Sequence, residues 1–257
     1  MPEKKKMMHI GLYKGDIGEY VLLPGSPERA ERLSHMLEDA TEVAYNREYR
    51  TYTGKLDGIA VSVTSTGMGG PSTAIAVEEL RECGAHTIIR VGTCESLSNS
   101  VHVGQVVLPN GAVRMEGVAN HYSPPEFPAV PDMEVLAALE AAAREVNAVF
   151  HIGIAVTKAV FSSQYAAQER PICHSLKERW YAYRSAGALC AEMGCAPMFT
   201  AAGSLQMRAA AVLGVAFEND RYSDDAADWN EDCEEIACRV AVEAVRKLIN
   251  HEKEPNL

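Results

Sequence analysis

Apolar and polar positions alternate along the chain in blocks that predict strands and helices in turn. The first apolar runs, His9–Leu12 and Tyr20–Leu23, are typical of strands. Ser26 is a favourable N-cap residue and Pro27 suits the first helical position. A tight turn should therefore lead from the second strand into a helix that ends near Leu37.

The rest of the chain continues this alternation. Two strand-like runs, Tyr45–Lys55 and Ile59–Thr66, meet at Asp57-Gly58, which is typical of the turn of a β-hairpin. Further strands are predicted at 85–91, 103–108, 112–115, 150–157, 188–193 and 208–217, and helices at 73–82, 132–146, 175–185, around Ala201 and after an N-cap at Asn230. We therefore expect one α/β domain over residues 1–257 with a largely parallel sheet, which binds ligands at the carboxyl ends of its strands.

Composition and charge narrow the class of function. The chain has 257 residues, of which 47% are hydrophobic and 23% charged, as in soluble globular proteins. Its 24 Lys and Arg against 35 Asp and Glu give a net charge of −11, which argues against nucleic-acid binding. The acidic stretch from Asp224 to Glu235 is expected to be the solvated start of the last helix.

No apolar run approaches the roughly 20 residues that a membrane span needs, and the basic start lacks the apolar segment of a secretory signal. Seven cysteines, an odd number, suit free thiols in a reducing compartment. We therefore expect a cytoplasmic protein without membrane contact.

Basic and hydroxyl side chains near two strand ends point to a bound anion. Gly25 precedes a helix N-terminus, which favours anions, and Arg29 stands in the first turn, where acids are preferred. Arg90 ends an apolar strand, where a cation needs a partner, and Thr93 follows it closely. Together these groups suit phosphate. Taken alone, Arg29 is better explained by a surface ion pair, whereas Arg90 with Thr93 favours the anion.

Longer motifs resemble those of a known family. PGSPERAERL at 24–33, NREY at 46–49, STGMGGPSTAIAVEEL at 65–80, RVGT at 90–93 and RMEGVANHYSPPEFPAVPD at 114–132 resemble the nucleoside phosphorylase superfamily, specifically its uridine phosphorylase branch. The resemblance implies a three-layer α/β/α fold around a twisted, partly barrel-like sheet, in a homodimer or a hexamer (trimer of dimers). It also implies that inorganic phosphate cleaves a pyrimidine nucleoside to a pentose 1-phosphate and a free base, without an organic cofactor.

The resemblance assigns roles position by position. The phosphate residues would be Gly25, Arg29, Arg90 and Thr93, with Arg47 supplied by a neighbouring subunit. The ribose residues would be Glu192, Met193 and His9, the last reaching across the same interface to the 5′-hydroxyl. Arg90, Thr93 and Glu192 would be the catalytic residues. The base residues would be Phe161, Gln168 and Arg170, with Gln164 competing for the glutamine role and Asn219 and Arg221 both near a further arginine position. Glu48, Met68 and Ser72 match positions that hold a potassium ion in some relatives.

Three positions depart from the family pattern. Ser26 replaces an aspartate, which is a mild change because serine caps a helix about as well as aspartate. Gly194 stands where relatives carry the glutamate that grips the 2′-hydroxyl, a loss that would lower the rate by about 10²–10³-fold unless Glu95 or Glu192 takes its place. Glu95 itself replaces a glycine beside the base, so it would occlude the base or hydrogen-bond to a different one. A second hypothesis is therefore a catalytically impaired protein that binds phosphate or a phosphorylated small molecule. If Gly194 alone impairs the enzyme, Gly194→Glu should raise its activity.

Overall fold

The computed structural model of the protein describes residues 5–163, 167–218 and 232–253, in which strands and helices alternate. The strands are β1 (Tyr20–Pro24), β2 (Glu38–Asn46), β3 (Tyr49–Leu56), β4 (Ile59–Thr64), β5 (Thr87–Ser96), β6 (Val106–Met115), β7 (Phe150–Lys158), β8 (Cys190–Glu192) and β9 (Arg208–Phe217). The helices are α1 (Pro27–Ser34), α2 (Gly70–Cys83), α3 (Met133–Glu145), α4 (Cys173–Ser185), α5 (Cys195–Ser204) and α6 (Asp232–Lys253). None of the helices in these ranges is long and apolar enough to cross a membrane.

The sheet closes on itself over part of its width. Its strand order is β2-β3-β4-β1-β5-β8-β7-β6-β9, and β9 also pairs with β5. Strands β5, β8, β7, β6 and β9 therefore form a closed barrel, which confirms the partly barrel-like sheet. Five of the nine described strand pairings are parallel and four are antiparallel, so the sheet is more mixed than the alternation of elements predicted.

Helices cover the sheet on two sides and give the three expected layers. One core cluster includes buried residues of α2 and α5, such as Leu80 and Ala201, against one side of the sheet. The other includes residues of α1, α3 and α6, such as Leu33, Leu139 and Val245. The strands between these clusters are apolar on both sides, as expected for a sheet covered by helices.

Local signals place several elements where they were predicted. Ser26 Oγ accepts a hydrogen bond from Arg29 N at 3.2 Å, and Asp132 caps α3 in the same way. Asp57 and Gly58 both have positive φ, at 50° and 79°, as the predicted hairpin turn requires. The first helix ends at Ser34 instead of near Leu37, and the Asn230 cap lies outside the described residues.

The structure corrects the predicted strands in four ways. His9–Leu12 contains a turn, because Glu79 accepts the backbone N–H groups of His9 and Ile10. The run 45–55 is split by a turn after Asn46, and its first part belongs to β2, which the pattern missed because most of its residues are exposed. The runs 103–108 and 112–115 form one strand, β6, whose register shifts between Pro109 and Gly111.

The fourth correction concerns the strand at 85–91. It continues to Ser96, because β5 pairs with β9 as far as Glu95 and with β8 at Glu95 and Ser96. Arg90 therefore lies in the middle of β5, and Thr93 and Glu95 lie on the same strand. Since successive residues of a strand alternate between its two faces, Thr93 and Glu95 share a face.

Candidate active site

A cavity of about 480 Å³ opens where β1 and β5 end, within the roughly 300–1,000 Å³ of small-molecule sites. The residues of its lining that bear on ligand binding are Gly25, Arg29, Arg90, Thr93, Glu95, Lys158, Phe161, Glu192, Met193 and Glu234. The structure thus brings together the four residues of this chain that were expected to bind phosphate. The charged lining residues comprise three cations and three carboxylates.

Arg29 reaches the cavity from the first turn of α1 and is buried. Its Nη2 donates to the carboxylate of Glu234, and its Nη1 donates to Val91 O at 3.2 Å. Glu234 also accepts from Arg32, so one carboxylate of α6 bridges two arginines of α1. Glu234 is buried, so the predicted surface partner of Arg29 and the predicted solvated start of the last helix were both wrong at this position.

The Nε atom of Arg29 is buried and has no hydrogen-bond partner within the described part of the chain. Leaving such a donor unsatisfied costs about 1–3 kcal/mol, and more for a charged group. The Arg29 guanidinium is therefore fixed by two hydrogen bonds, and its Nε–H is a buried donor without an acceptor among the described residues.

The guanidinium of Arg90 fills a space that two glycines leave open. A Cβ on Gly194 would lie 2.7 Å from Arg90 Cζ, and a Cβ on Gly92 would lie 3.3 Å from Arg90 Nε. Arg90 Nε donates to Glu192 Oε2 at 3.1 Å, which leaves its terminal nitrogens for another acceptor. A side chain at position 194 would therefore displace the guanidinium.

Glu192 is a buried carboxylate held by four donors. Its Oε1 accepts from Thr157 Oγ1 at 2.6 Å and from Cys195 N at 2.9 Å. Its Oε2 accepts from Gly194 N at 2.6 Å and from Arg90 Nε at 3.1 Å. Because a carboxylate has about four acceptor positions, Glu192 is saturated, and it closes the N-terminus of α5. It cannot turn toward a sugar hydroxyl without breaking these bonds.

Glu95 and Lys158 form a second charged pair at the cavity wall. Each side chain is 3% exposed, and Glu95 Oε2 lies 3.6 Å from Lys158 Nζ. Burial lowers the pKa of the Lys158 ammonium, and the Glu95 carboxylate opposes part of that shift. The cavity stays open beside the pair, so Glu95 supplies a polar wall.

Phe161 stands next to this pair. The Lys158 ammonium lies 5.0 Å from the centroid of its ring, and 43% of Phe161 is exposed. Phe161 is therefore not a core residue, although its stacking on a base stays a prediction.

Two residues expected to recognise the base lie away from the cavity lining. Gln168 is exposed in a short 3₁₀ turn, and Arg170 Nη2 donates to Ser162 Oγ at 2.8 Å. Their contact with a base stays a prediction. The alternatives Gln164, Asn219 and Arg221 lie outside the described residues.

His9 and Arg47 also lie outside the cavity of their own chain. His9 Nδ1 lies 2.7 Å from Glu79 Oε1, and Arg47 is exposed with a φ of 57°. Both positions are compatible with the predicted use in a neighbouring subunit, and that use stays a prediction.

The residues of the predicted potassium site meet around one turn. A Cβ on Gly67 would lie 2.8 Å from Glu48 Cγ and 3.5 Å from Ser72 Oγ. Ser72 Oγ also donates to Met68 O at 3.2 Å. Potassium binding itself stays a prediction.

The sequence interpretation missed Lys158 and Glu234. Lys158 is the last residue of β7, and the sequence predicted Arg90 at the end of a strand in the same way. A cation at the end of an apolar strand could therefore have identified Lys158 as well. The burial of Glu234 could not be predicted from the sequence, because several acidic residues stand together at the start of α6 and nothing local distinguishes the buried one.

Comparison with known proteins gives one consistent result. The chain matches the Phosphorylase superfamily over residues 19–250. It is 43% identical over 244 residues to the uridine phosphorylase of Treponema pallidum, covering 95% of both chains. It is 39% identical over 257 residues to the uridine phosphorylase of Thermococcus kodakarensis, covering 98% of this chain and 90% of the relative. A guanosine phosphorylase of Halorubrum lacusprofundi is 33% identical over 248 residues, covering 95% and 97% respectively.

Proposed function

The chain belongs to the phosphorylase superfamily, and we propose that it cleaves a uridine-like nucleoside with inorganic phosphate. Relatives named uridine phosphorylase, 43% and 39% identical over nearly the whole chain, support the reaction class. One structural observation carries the assignment of the cavity: the side chains of the two arginines, Arg29 and Arg90, line the same cavity as Thr93 and Gly25.

Phosphate is bound by groups from the turn after β1, from helix α1 and from strand β5. The guanidinium groups of Arg29 and Arg90 donate to its oxygens, and the Thr93 hydroxyl adds a neutral donor. Gly25 leaves room beside them, because a Cβ there would meet only Gly67 O at 3.7 Å, an ordinary contact. The amides at the start of α1 add the partial positive charge of a helix N-terminus.

The sugar lies between the phosphate and the apolar wall formed by Met193 and Phe161. An oxygen of hydrogen phosphate forms a bond to C1′ while the C1′–N bond breaks and its electron pair leaves with the base. The proton that hydrogen phosphate brought balances the base anion through solvent, so the products are a neutral base and a pentose 1-phosphate. Holding both reactants in one cavity provides the proximity that accelerates such a step.

Glu192 acts on this reaction through Arg90. Because four donors saturate its carboxylate, Glu192 fixes the Arg90 guanidinium and the start of α5, and it does not take over the missing contact to the 2′-hydroxyl. Gly194 is then part of the phosphate site, because its lack of a side chain leaves room for Arg90.

A second copy of the chain completes the site. Arg47 of the neighbour donates to phosphate and His9 of the neighbour contacts the sugar, which agrees with the position of both residues outside the cavity of their own chain. Glu48, Met68 and Ser72 hold a potassium ion near that interface.

The test is the release of uracil from uridine by the purified protein with and without inorganic phosphate. We expect release that depends on phosphate, with one pentose 1-phosphate formed per uracil. Arg90→Gln should lower kcat/KM by about 10²-fold, because it removes a charged donor from the transferring group. Arg246→Gln, which changes a surface arginine paired with Asp57, is the matched control and should keep full activity.

If phosphate binds but no nucleoside is cleaved, the proposal fails in favour of the second hypothesis, an impaired protein that binds phosphate or a phosphorylated small molecule. Analytical ultracentrifugation of the same sample tests the second-copy part, since a monomer with full activity would contradict it.

A further inference from the structure

We propose that the buried Glu95–Lys158 pair recognises the base of the nucleoside. The pair selects bases in which a carbonyl is adjacent to a ring N–H, in pyrimidines and purines alike. This inference rests on the proposed function and adds the class of base and the residues that select it.

The pair is placed for this role by the barrel. Glu95 on β5 pairs in register with Ala191 of β8, and β7, which ends at Lys158, borders β8 on its other side. The two side chains thus come from strands that flank β8, and both line the cavity near Phe161. Glu95 lies two residues after Thr93 on β5, the strand that also carries Arg90.

The burial of the pair makes it a selective element. At 3% exposure each, the carboxylate and the ammonium have lost most contact with water. Buried charges gain from every hydrogen bond that a ligand offers and lose strongly when a ligand presents the wrong group. A surface pair in the same positions would discriminate far less.

The chemistry of the pair matches one edge of a base. A carboxylate only accepts hydrogen bonds and an ammonium only donates them. A carbonyl next to a ring N–H offers the opposite groups side by side: the N–H donates to Glu95 and the carbonyl oxygen accepts from Lys158. Uracil, hypoxanthine and guanine carry this edge.

Bases with an amino group in place of that carbonyl have the reverse pattern. Cytosine and adenine present an NH₂ donor beside an unprotonated ring nitrogen. The NH₂ would face the Lys158 ammonium, and the ring nitrogen would face the Glu95 carboxylate. The first contact would bring two donors together and the second two acceptors. A purine and a pyrimidine with the same edge would make the same contacts, so the number of rings does not affect the selection.

Lys158 also fits the chemistry of bond cleavage. The electron pair that leaves with the base spreads onto its carbonyl oxygens, and a hydrogen-bonded ammonium stabilises that charge more in the transition state than in the bound nucleoside. Lys158 would then affect kcat as well as KM.

The first experiment uses the unaltered protein and matched nucleosides at saturating phosphate. We expect kcat/KM for uridine to exceed that for cytidine by at least about 10²-fold, and inosine to exceed adenosine by a similar factor. 3-Methyluridine, which lacks the N–H, should react as poorly as cytidine. If cytidine and 3-methyluridine react within a few fold of uridine, the inference is wrong even though the protein is a phosphorylase. If uridine reacts and inosine does not, the pair does not read both ring systems as proposed.

The second experiment exchanges the pair as E95K/K158E, which keeps the ion pair and reverses its donor and acceptor. The ratio of kcat/KM for uridine to that for cytidine should fall by at least about tenfold, with the KM for phosphate unchanged. The matched control is E145K/K247E, which exchanges an exposed ion pair and should leave the ratio unaltered. An unchanged ratio in a folded E95K/K158E protein would overturn the inference.

A milder variant covers the case in which the exchange does not fold. Lys158→Gln keeps a neutral donor and should lower kcat for uridine while its KM changes less. Failure of every nucleoside in the first experiment would instead contradict the proposed function itself, so the two failures are distinguishable.

Discussion

Single residues determine the space available to the side chains that line the cavity. The replacement of a family glutamate by Gly194 suggested an impaired enzyme from the sequence alone. In the structure the same glycine lies against the Arg90 guanidinium, with Gly92 nearby, and Arg90 Nε binds Glu192 at 3.1 Å. The missing side chain therefore has a local effect, which is to leave space for the Arg90 guanidinium.

Gly194→Ala tests that effect. The added Cβ would lie 2.7 Å from Arg90 Cζ, so the guanidinium must move and kcat/KM should fall by about 10²-fold. Phosphorolysis of uridine measures the effect. Gly194→Glu should lower activity for the same reason, the opposite of the gain expected from the sequence.

The control lies within helix α5, of which Gly194 is the N-cap residue. A Cβ on Gly203 would meet no atom within 4 Å, so Gly203→Ala should keep full activity and stabilise the protein by about 0.5–1 kcal/mol. Equal activity of the two alanine variants would contradict the role given to Gly194.

At the scale of elements, buried carboxylates connect segments that are distant in sequence. Glu192 joins β7, β5 and the start of α5 through its four donors, and Glu234 joins α6 to α1 through two arginines. Removing one partner of a buried charge costs more than the pair contributes, because the other partner stays buried and unpaired.

Glu192→Gln should therefore destabilise the protein by about 2–4 kcal/mol, because one oxygen becomes an NH₂ that faces donors. Urea unfolding monitored by circular dichroism measures the change. Glu178→Gln, at an exposed position of α4, is the comparison and should change the free energy of unfolding by less than about 0.5 kcal/mol. Equal effects would show that the four bonds to Glu192 contribute little.

Glu79 on α2 makes a pH-dependent link to the N-terminal segment. Burial alone would raise the pKa of its carboxyl, but the backbone N–H groups of Ile10 and His9 and the His9 ring lower the pKa below its ordinary value of 4.5. A lowered pKa stabilises the fold above that ordinary value, and the stabilisation is lost as the pH falls through the folded-state pKa.

Glu79→Gln should therefore cost about 1–2 kcal/mol at pH 7 and progressively less below pH 4.5. Parallel urea titrations of both proteins between pH 7 and pH 3.5 follow this difference. Glu82→Gln, on the exposed side of the same helix, should show no such trend. A constant difference over the range would contradict the assignment.

Prediction from sequence succeeded where a signal was local. The Asp57-Gly58 turn, the Ser26 and Asp132 caps and β9 over 208–217 follow from residues a few positions apart. It failed where distant partners decide. The extension of β5 to Ser96 depends on β8 and β9, and the burial of Glu234 depends on Arg29. The site was predicted in part for the same reason: its motif residues were found, whereas the Glu95–Lys158 pair forms only when β5 and β7 flank β8.

At the scale of the whole molecule, ligand binding and stability are linked. A ligand that binds only the folded state stabilises it by about 2.7 kcal/mol at a concentration 100 times its Kd. Inorganic phosphate should therefore raise the melting temperature by several degrees, and the rise should vanish in Arg29→Gln. Thermal unfolding in phosphate and in an equal ionic strength of chloride measures it. A similar rise in chloride, or in the variant, would show that phosphate acts elsewhere.

The most direct measurement is a crystal structure of the protein soaked in inorganic phosphate and uridine. We predict phosphate oxygens within hydrogen-bond distance of Thr93 and of the Arg29 and Arg90 guanidinium groups, with the pentose between that phosphate and a base whose N–H faces Glu95. Phosphate bound away from these two arginines, or a base turned away from Glu95 and Lys158, would contradict it.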